Sequence, residues 1–323
     1  MTKLKVGLIG IGNHFLENII PAILLNKNLK IDSIYSSNQQ KLDQLSEEFD
    51  VKNKYSNWQK LISDRQVDCI FVSGTPDFHS QVIFECIKYS MPFFVEKPPF
   101  AKISDFDKLE ALPINMVGYN FKFSEQYILL QNYLTKESKI SKINLRLISN
   151  KPRETFWNQN NILESYLYAV GIHGLDLICS TLGDIVNIKS FFNPINRELF
   201  SLTVFLEFKN KKFATLDFGN YANSLDYKVE LINQTGESGT LNNNHKIELN
   251  SQANNLSKKE KINLELSSLQ GGYYKGGYQN QIDHFASCLL EQKQTASDIT
   301  KSKQIYTIIQ TILTQNNLCQ GTL

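Results

Sequence analysis

A chain of 323 residues exceeds what one ordinary hydrophobic core fills, so two domains are expected. Hydrophobic content of 41% and charged content of 20% exclude a disordered chain, and a net charge of +2 from scattered lysines gives no nucleic-acid footprint. The five cysteines (Cys69, Cys86, Cys179, Cys288, Cys319) form no C-x-x-C pair and no metal spacing. With no leader pattern and no apolar run near the ~20 residues of a membrane span, the expectation is a cytoplasmic protein with reduced thiols.

Residues 5–9 form a short apolar strand, followed by Gly10-Ile11-Gly12-Asn13-His14-Phe15 and a helix with apolar residues at Phe15, Ile19, Ile20, Ile23 and Leu24. In that context Gly10 permits a tight turn and Gly12 lets a pyrophosphate approach the backbone at the helix N-terminus, with Asn13 and His14 beside it. Taken alone, the two glycines also fit a plain strand–turn–helix. Phe15 replaces the third glycine, which predicts looser packing of helix on strand, and Pro21 predicts a kink near Asn18.

A second strand covers residues 30–35. Its end is where a carboxylate would bind the ribose 2′-hydroxyl of NAD, but Ser36 and Ser37 stand there and Asp32 lies earlier. Two hydroxyls with nearby Lys41 would accept a 2′-phosphate, which favours NADP over NAD. Equally, the serines would serve as caps for the next helix, over residues 39–49. Another helix is expected at 58–63 and a buried strand at 67–73, ending in Gly74-Thr75-Pro76-Asp77-Phe78-His79. Thr75 and Pro76 are placed at the carboxyl edge of the sheet, and His79 is read as holding that turn rather than donating a proton. A helix to residue 89 leads into strand 93–95, stopped by Glu96-Lys97-Pro98-Pro99 because proline has no N–H for the ladder. Lys97, at the carboxyl end of a strand, is therefore the candidate polar centre of a nicotinamide-dependent site; the competing reading is a salt bridge to Glu96 or a surface acid. A helix capped by Ser104 (104–112) and a strand at 114–120 complete an alternation that predicts a parallel, doubly wound α/β sheet.

These pieces, in this order, resemble the glucose–fructose oxidoreductase/inositol dehydrogenase/rhizopine-catabolism (Gfo/Idh/MocA) family. The matching residues are Gly10-Ile11-Gly12, Pro21-Ala22, Val67-Asp68 leading to Thr75-Pro76 and His79, and Val95-Glu96-Lys97-Pro98. Gly118-Tyr119-Asn120-Phe121-Lys122, Gly171-Ile172-His173-Gly174-Leu175-Asp176, and Tyr278 with His284-Phe285 continue the series. The resemblance implies a Rossmann domain over residues 1–121 and an α/β domain with an open, mostly antiparallel sheet over 122–323, the last helix packing back on the first domain. It implies hydride transfer between NAD(P) and an alcohol or carbonyl carbon of a sugar, cyclitol or related molecule. Lys97 and His173, supplied by different domains and converging at the nicotinamide, would be the catalytic pair, and the C-terminal sheet would join a homodimer or homotetramer.

Past residue 142 the pattern alternates polar with apolar, predicting strands at 142–148, 202–208, 213–221, 225–232 and 246–249. Residues 152–161, with Trp157, read as a loop over substrate, and 163–182 as a helix with His173 and Asp176 on one face. Tyr119, Asn120, Trp157, Tyr168, His173 and Asp176 are the candidate substrate contacts, with Asp176 orienting locally. Residues 242–261 read as a polar loop, 271–278 as a glycine-tyrosine segment over the site or a linker, and 279–291 and 297–314 as closing helices. One departure from the family stands out: many members carry an aspartate four residues before the histidine, where this chain has Ala169, with Glu164-Ser165 in place of a glycine pair. Tyr166 or Tyr168 would have to fill the space. The gap leaves open a reductase of C=N or conjugated C=C bonds, or a dinucleotide-binding protein that has lost catalysis.

Overall fold

In a computed structural model the described residues are 3–136, 138–252, 259–265 and 275–318. The chain forms two compact units, Met1–Tyr119 with Tyr278–Lys303, and Asn120–Gly277 with Gln304–Leu323. The first of the two closing helices, Tyr278–Glu291, belongs with the first unit.

The first unit is built on six parallel strands: β1 (Leu4–Ile9), β2 (Leu29–Tyr35), β3 (Asn53–Tyr55), β4 (Cys69–Val72), β5 (Phe93–Val95) and β6 (Asn115–Val117). Their order is β3-β2-β1-β4-β5-β6, so the direction of winding reverses between β1 and β4. Every residue of β4 and β5 is buried, as expected for a parallel sheet covered on both faces. Helix Tyr278–Glu291 supplies part of that cover: the Phe285 ring stands edge-on to Phe71 and Phe94, at 5.5 and 6.1 Å, while those two rings stack at 5.0 Å. Asn26 and Gln279 both donate to Asp283 Oδ1, at 2.6 and 2.8 Å, tying this helix to the end of the first one.

That first helix opens as a π-turn, Phe15–Ile19, and continues as α1 (Ile20–Leu25). Ile20 N–H donates to the Phe15 carbonyl, five residues back. Pro21 has no N–H for the Glu17 carbonyl, so the α pattern cannot run back through it. The wide turn also houses the fully buried Phe15 ring where a third glycine would have let helix and strand close up. The expected kink is thus a change of helical type. The expected helix at 104–112 is instead a 3₁₀ turn, Ile103–Lys108, without a side-chain cap. Asp105 is drawn to Lys108 (2.6 Å) and to Ser80 (3.3 Å), and Pro113 stops any longer helix.

The second unit holds an eight-stranded sheet ordered β14-β13-β12-β11-β7-β10-β9-β8, in which only β7 (Ile140–Ile148) and β10 (Lys212–Gly219) pair parallel. The others are β8 (Ile185–Pro194), β9 (Phe200–Phe208), β11 (Asp226–Asn233), β12 (Ser238–Asn242), β13 (Lys246–Gln252) and β14 (Lys259–Glu265). The 242–261 loop expectation fails here, because β13 and β14 pair over Lys246–Glu265 to Gln252–Lys259. Residues 271–274 of the glycine-tyrosine segment, like Cys319, lie outside the described residues. The 21-residue helical run Ile162–Leu182 is long and apolar enough to pass for a membrane span, contrary to the sequence reading, yet it lies mostly buried in this unit. Its Gly174 makes the approach possible, since a Cβ there would sit 3.1 Å from Leu145 of β7.

Candidate active site

The ends of β1, β2, β4 and β5 bring the sequence candidates of the first unit to one sheet edge. Gly10 has φ +71°, and a Cβ on it would lie 2.0 Å from the Ser73 carbonyl oxygen, so only glycine fits. Gly12 is different: a Cβ there meets nothing within 4 Å. The helix begins at once beyond it, with Leu16 N–H on the Gly12 carbonyl at 3.0 Å. An open cradle over a glycine at a helix N-terminus suits a diphosphate, and the residues present therefore fit the dinucleotide. Gly12→Val is expected to melt close to the wild type but to weaken cofactor binding by about tenfold or more. Gly10→Ala is expected to lose stability first, by on the order of 1–3 kcal/mol from backbone strain alone. Thermal unfolding and cofactor titration of both variants separate the two roles.

At the end of β2, Ser36 Oγ accepts from Asn38 N–H at 3.2 Å, and Asn38, not either serine, caps the helix Gln39–Glu48 through Lys41 N–H at 3.0 Å. Ser37 is exposed beside them. The Lys41 ammonium donates to the Ile11 carbonyl within the glycine turn. A cavity of about 700 Å³ opens next to this point, with Asn13, Asn38, Gln40 and Lys41 among its polar lining. Asp32 is occupied elsewhere, with Lys5, Lys30 and Asn53 around it.

After α2 (Gln39–Glu48) and α3 (Trp58–Ser63), Thr75 caps helix α4 (Pro76–Lys88) through Phe78 N–H at 3.4 Å, with Pro76 as its first residue. One turn in, His79 is 1% exposed and its Nδ1 lies 2.9 Å from the Pro98 carbonyl oxygen. A carbonyl only accepts, so Nδ1 carries the proton and Nε2 is a bare lone pair. Burial, followed by the charge of Lys97, lowers the His79 pKa to about 4. His79 therefore stays neutral and anchors the Lys97–Pro98 turn, whose peptide is cis. Lys97 is half-buried between the buried Glu96 and Pro98. Burial pushes the Glu96 carboxyl up to about 7 against the opposing charge of Lys97. Tyr119 is buried too, and its hydroxyl is committed to Ser302 Oγ at 3.0 Å.

In the second unit, His173 opens α7 (Ile172–Leu182), after α6 (Ile162–Tyr166) and a π-turn, Leu167–Gly171, which contains Ala169. The imidazole stacks on Phe121 with centroids 4.8 Å apart and 16° between planes, and Phe121 meets Tyr227 edge-on at 5.0 Å. Asp176 pairs with Lys122 at 3.0 Å, both side chains under a tenth exposed. The turn Phe121–Phe123 and the start of α7 are thus held together by a ring stack and a buried ion pair. Tyr166 does not fill the gap at Ala169: it is a core residue whose hydroxyl reaches the Leu147 carbonyl. Tyr168 packs edge-on to Tyr306 at 5.1 Å, and Asn120 donates to the Gly276 carbonyl at 2.7 Å. Trp157 sits half-buried in its loop, edge-on to Phe156. Among the described residues no cluster of His, Cys, Asp and Glu would hold a metal ion.

A family model described as "Oxidoreductase family, NAD-binding Rossmann fold" matches residues 4–113, the stretch that carries the glycine turn, Thr75-Pro76 and Glu96-Lys97-Pro98. Residues 4–113 thus match the Gfo/Idh/MocA oxidoreductase model. It is 23% identical over 192 residues to the myo-inositol 2-dehydrogenase of Thermotoga maritima, spanning 56% of this chain and 55% of that relative. The chain therefore aligns with little more than half the length of the curated relative it matches. The fold extends further: a dehydrogenase from Chromobacterium violaceum superposes with TM-score 0.91 at 21% identity, covering 97% of this chain and 95% of that one. A levoglucosan dehydrogenase, crystallised with NADH and levoglucosan, superposes with TM-score 0.82 at 13% identity over 98% of both chains. The fold of these dehydrogenases thus matches nearly the whole chain. Sequence reading missed three contacts: Lys41 on the glycine turn, Phe121 on His173, and His14 beside Glu96. All three residues had been singled out from the sequence, but these contacts form only in the fold.

Proposed function

We propose that this chain is an NAD(P)-dependent oxidoreductase acting on an alcohol or carbonyl carbon of a sugar, cyclitol or related small molecule. The single observation that carries the reading is the sheet edge of the first unit: an open glycine cradle, a capped Thr75 turn and a half-buried Lys97 anchored by His79 all meet there. The nicotinamide, when bound, supplies or accepts the hydride. Gly12 and the helix start hold its diphosphate, and Thr75 and Pro76 border it. Lys97 would stabilise negative charge developing on the substrate oxygen and relay its proton, and His173 would exchange that single proton with the substrate hydroxyl. Asp176, paired with Lys122, keeps the start of α7 in place rather than reacting.

NADP is the favoured cofactor. No acid stands at the end of β2 to repel a 2′-phosphate, and Ser36, Ser37 and the Lys41 ammonium are the groups that would receive one. The chain is further proposed to self-associate through the second unit's sheet. Phe191, Phe205 and Phe213 share its outer face at 64%, 45% and 49% exposure, an unusual aromatic surface for a strand face in water. Sedimentation of the purified protein reads the stoichiometry.

Mass spectrometry of the nucleotide that co-purifies, followed by nicotinamide absorbance with polyol, sugar and imine panels, tests the whole reading. Bound NADP and turnover of a polyol or sugar are expected. Bound NAD overturns the cofactor assignment, turnover of imines alone overturns the substrate class, and binding without turnover of any panel overturns the enzyme. The imine outcome has a specific motive, because Ala169 leaves the proton chain one carboxylate short.

A further inference from the structure

Glu96 is a buried carboxyl at this sheet edge, 6% exposed, held by the adjacent Lys97 through its charge and backbone N–H but left unsatisfied on one oxygen. A structural buried acid is held by a close cation or by backbone N–H groups. Among the described residues Oε1 has no hydrogen-bond partner at all. Oε2 lies 3.9 Å from His14 Nε2, at the outer limit of an ion pair. His14 is half-exposed at the start of the first helix, and its ring stands edge-on to Tyr278, with centroids 5.6 Å apart. Tyr278 in turn feels the carboxyl, whose charge adds to burial in raising the phenol. Lys97 faces Glu96 from its own strand end. The fourth wall is Gly118, where a Cβ would come within 2.9 Å of Oε1, and it brings no titratable group. Two strand ends and two helices thus surround an acid that takes a backbone N–H from its neighbour Lys97, lies 3.9 Å from an imidazole and leaves Oε1 without a hydrogen bond.

The place matters. Glu96 follows β5 and His14 follows β1, on either side of β4, where the winding of the sheet reverses and where dinucleotides bind in such sheets. A nicotinamide carries a positive charge when oxidised and none when reduced. An incompletely paired acid buried at that location responds to the difference, since a nearby cation favours its ionised form. Resting on the reading that a nicotinamide cofactor binds here, we propose that Glu96, with His14 and Tyr278, senses the cofactor's redox state: the cluster gives up a proton when the oxidised ring binds and keeps it when the reduced ring binds. The step is a simple ionisation, in which the carboxylic acid becomes a carboxylate and the proton leaves to solvent. The consequence is that oxidised and reduced cofactor affinities diverge with pH. Because burial sets the free carboxyl near 7, the divergence falls within the physiological range.

The experiment is calorimetric titration of the whole protein with NAD+, NADH, NADP+ and NADPH, in two buffers of different ionisation enthalpy, at several pH values between about 6 and 8. The wild type is expected to release a fraction of a proton with the oxidised forms and none with the reduced ones. Affinity for the oxidised form should tighten about tenfold across that range. Glu96→Gln should abolish both effects while still binding both redox forms. His14→Gln, at a half-exposed position where misfolding is not expected, should keep the proton release and move its midpoint to higher pH, because the imidazole 3.9 Å from the carboxyl is gone. Release that survives in Glu96→Gln but disappears in His14→Gln would locate the proton on the imidazole and overturn the proposal. Oxidised-form binding without proton release would overturn it alone. Failure of all four nucleotides to bind would overturn it together with the cofactor reading.

Discussion

Lys97→Ala is expected to lower turnover by on the order of a thousandfold or more while leaving cofactor affinity within a few fold of the wild type. The split follows from what holds the residue. The backbone around it is fixed independently of the ammonium: Pro98 accepts from His79, Glu96 N–H donates to the Val72 carbonyl at 3.0 Å, and Gly118 N–H donates to the Val95 carbonyl at 2.8 Å. The diphosphate cradle lies at Gly12, on another strand end. Truncation at 97 therefore removes a charge and a proton donor without releasing the turn. Lys97→Arg is the informative partner, because it keeps the positive charge but surrenders no proton near neutral pH. An intermediate rate for arginine means that charge stabilisation carries part of the catalysis; a rate as low as alanine means that the proton carries it. Steady-state kinetics with a responsive substrate and fluorescence titration of the reduced cofactor supply both readouts. Full activity in Lys97→Ala would end the assignment. Combining Lys97→Ala with His173→Ala extends the test: two residues serving one proton chain lose far less together than the sum of their separate losses.

Much of the first unit was legible because parallel strands buried on both faces leave short apolar blocks with hard stops. Phe93-Phe94-Val95 before Glu-Lys-Pro is one such block, and the strand found there has those bounds. Its edge and its irregular pieces were not legible. β3 (Asn53–Tyr55) is only Asn-Lys-Tyr, without apolar content, and exists because its backbone pairs with β2. In the second unit, helix α5 (Glu125–Leu134) escaped because Tyr127, Ile128, Leu129, Leu130, Tyr133 and Leu134 spread round the helix rather than along one stripe. Ser124 caps it, a start signal with no periodicity behind it to read. β8 was hidden by its place at the sheet edge, where half-exposed residues blur the alternation. β14 is polar along most of its length and is a strand through its ladder with β13.

Site residues divide along the same line. Gly10, Thr75, Pro76 and Lys97, read from residue type and spacing, fall at the sheet edge where they were expected. Contacts made only in the fold were not legible: Lys41 and His14 were singled out near the cofactor, but the bond of Lys41 to Ile11 and the approach of His14 to Glu96 could not be read from spacing. Tyr119, named as a substrate contact from a motif, donates its hydroxyl to Ser302 Oγ inside the first unit.

The buried pair Glu96 and His79 makes the second large prediction, on the stability of the cofactor-free protein. His79 has its pKa lowered from 6.5 to about 4, so the unfolded chain takes up a proton before the native state does. Its contribution is present above about 6.5 and is lost as pH falls towards 4. Glu96 has its pKa raised from 4.5 to about 7, so the native state holds the proton longer. Its contribution runs the other way, being greatest at low pH and lost as pH rises from 4.5 to 7. Each shift corresponds to on the order of 3 kcal/mol at full extent. Over pH 4.5–6.5 the two slopes oppose, and the wild type should show only a shallow dependence from this pair. Glu96→Gln removes one slope. That variant is expected to be more stable than the wild type at pH 8, and to lose stability steeply on acidification through the His79 window. His79→Asn removes the other, and should gain stability as pH falls from about 6.5 to 4.5, from a lower starting point because the anchor on Pro98 is weakened. Urea unfolding of the three proteins at intervals from pH 4.5 to 8 reads these slopes directly. Parallel curves for wild type and Glu96→Gln would show that the carboxyl ionises in the fold as it does in water, and with that the tension built into this sheet edge would vanish.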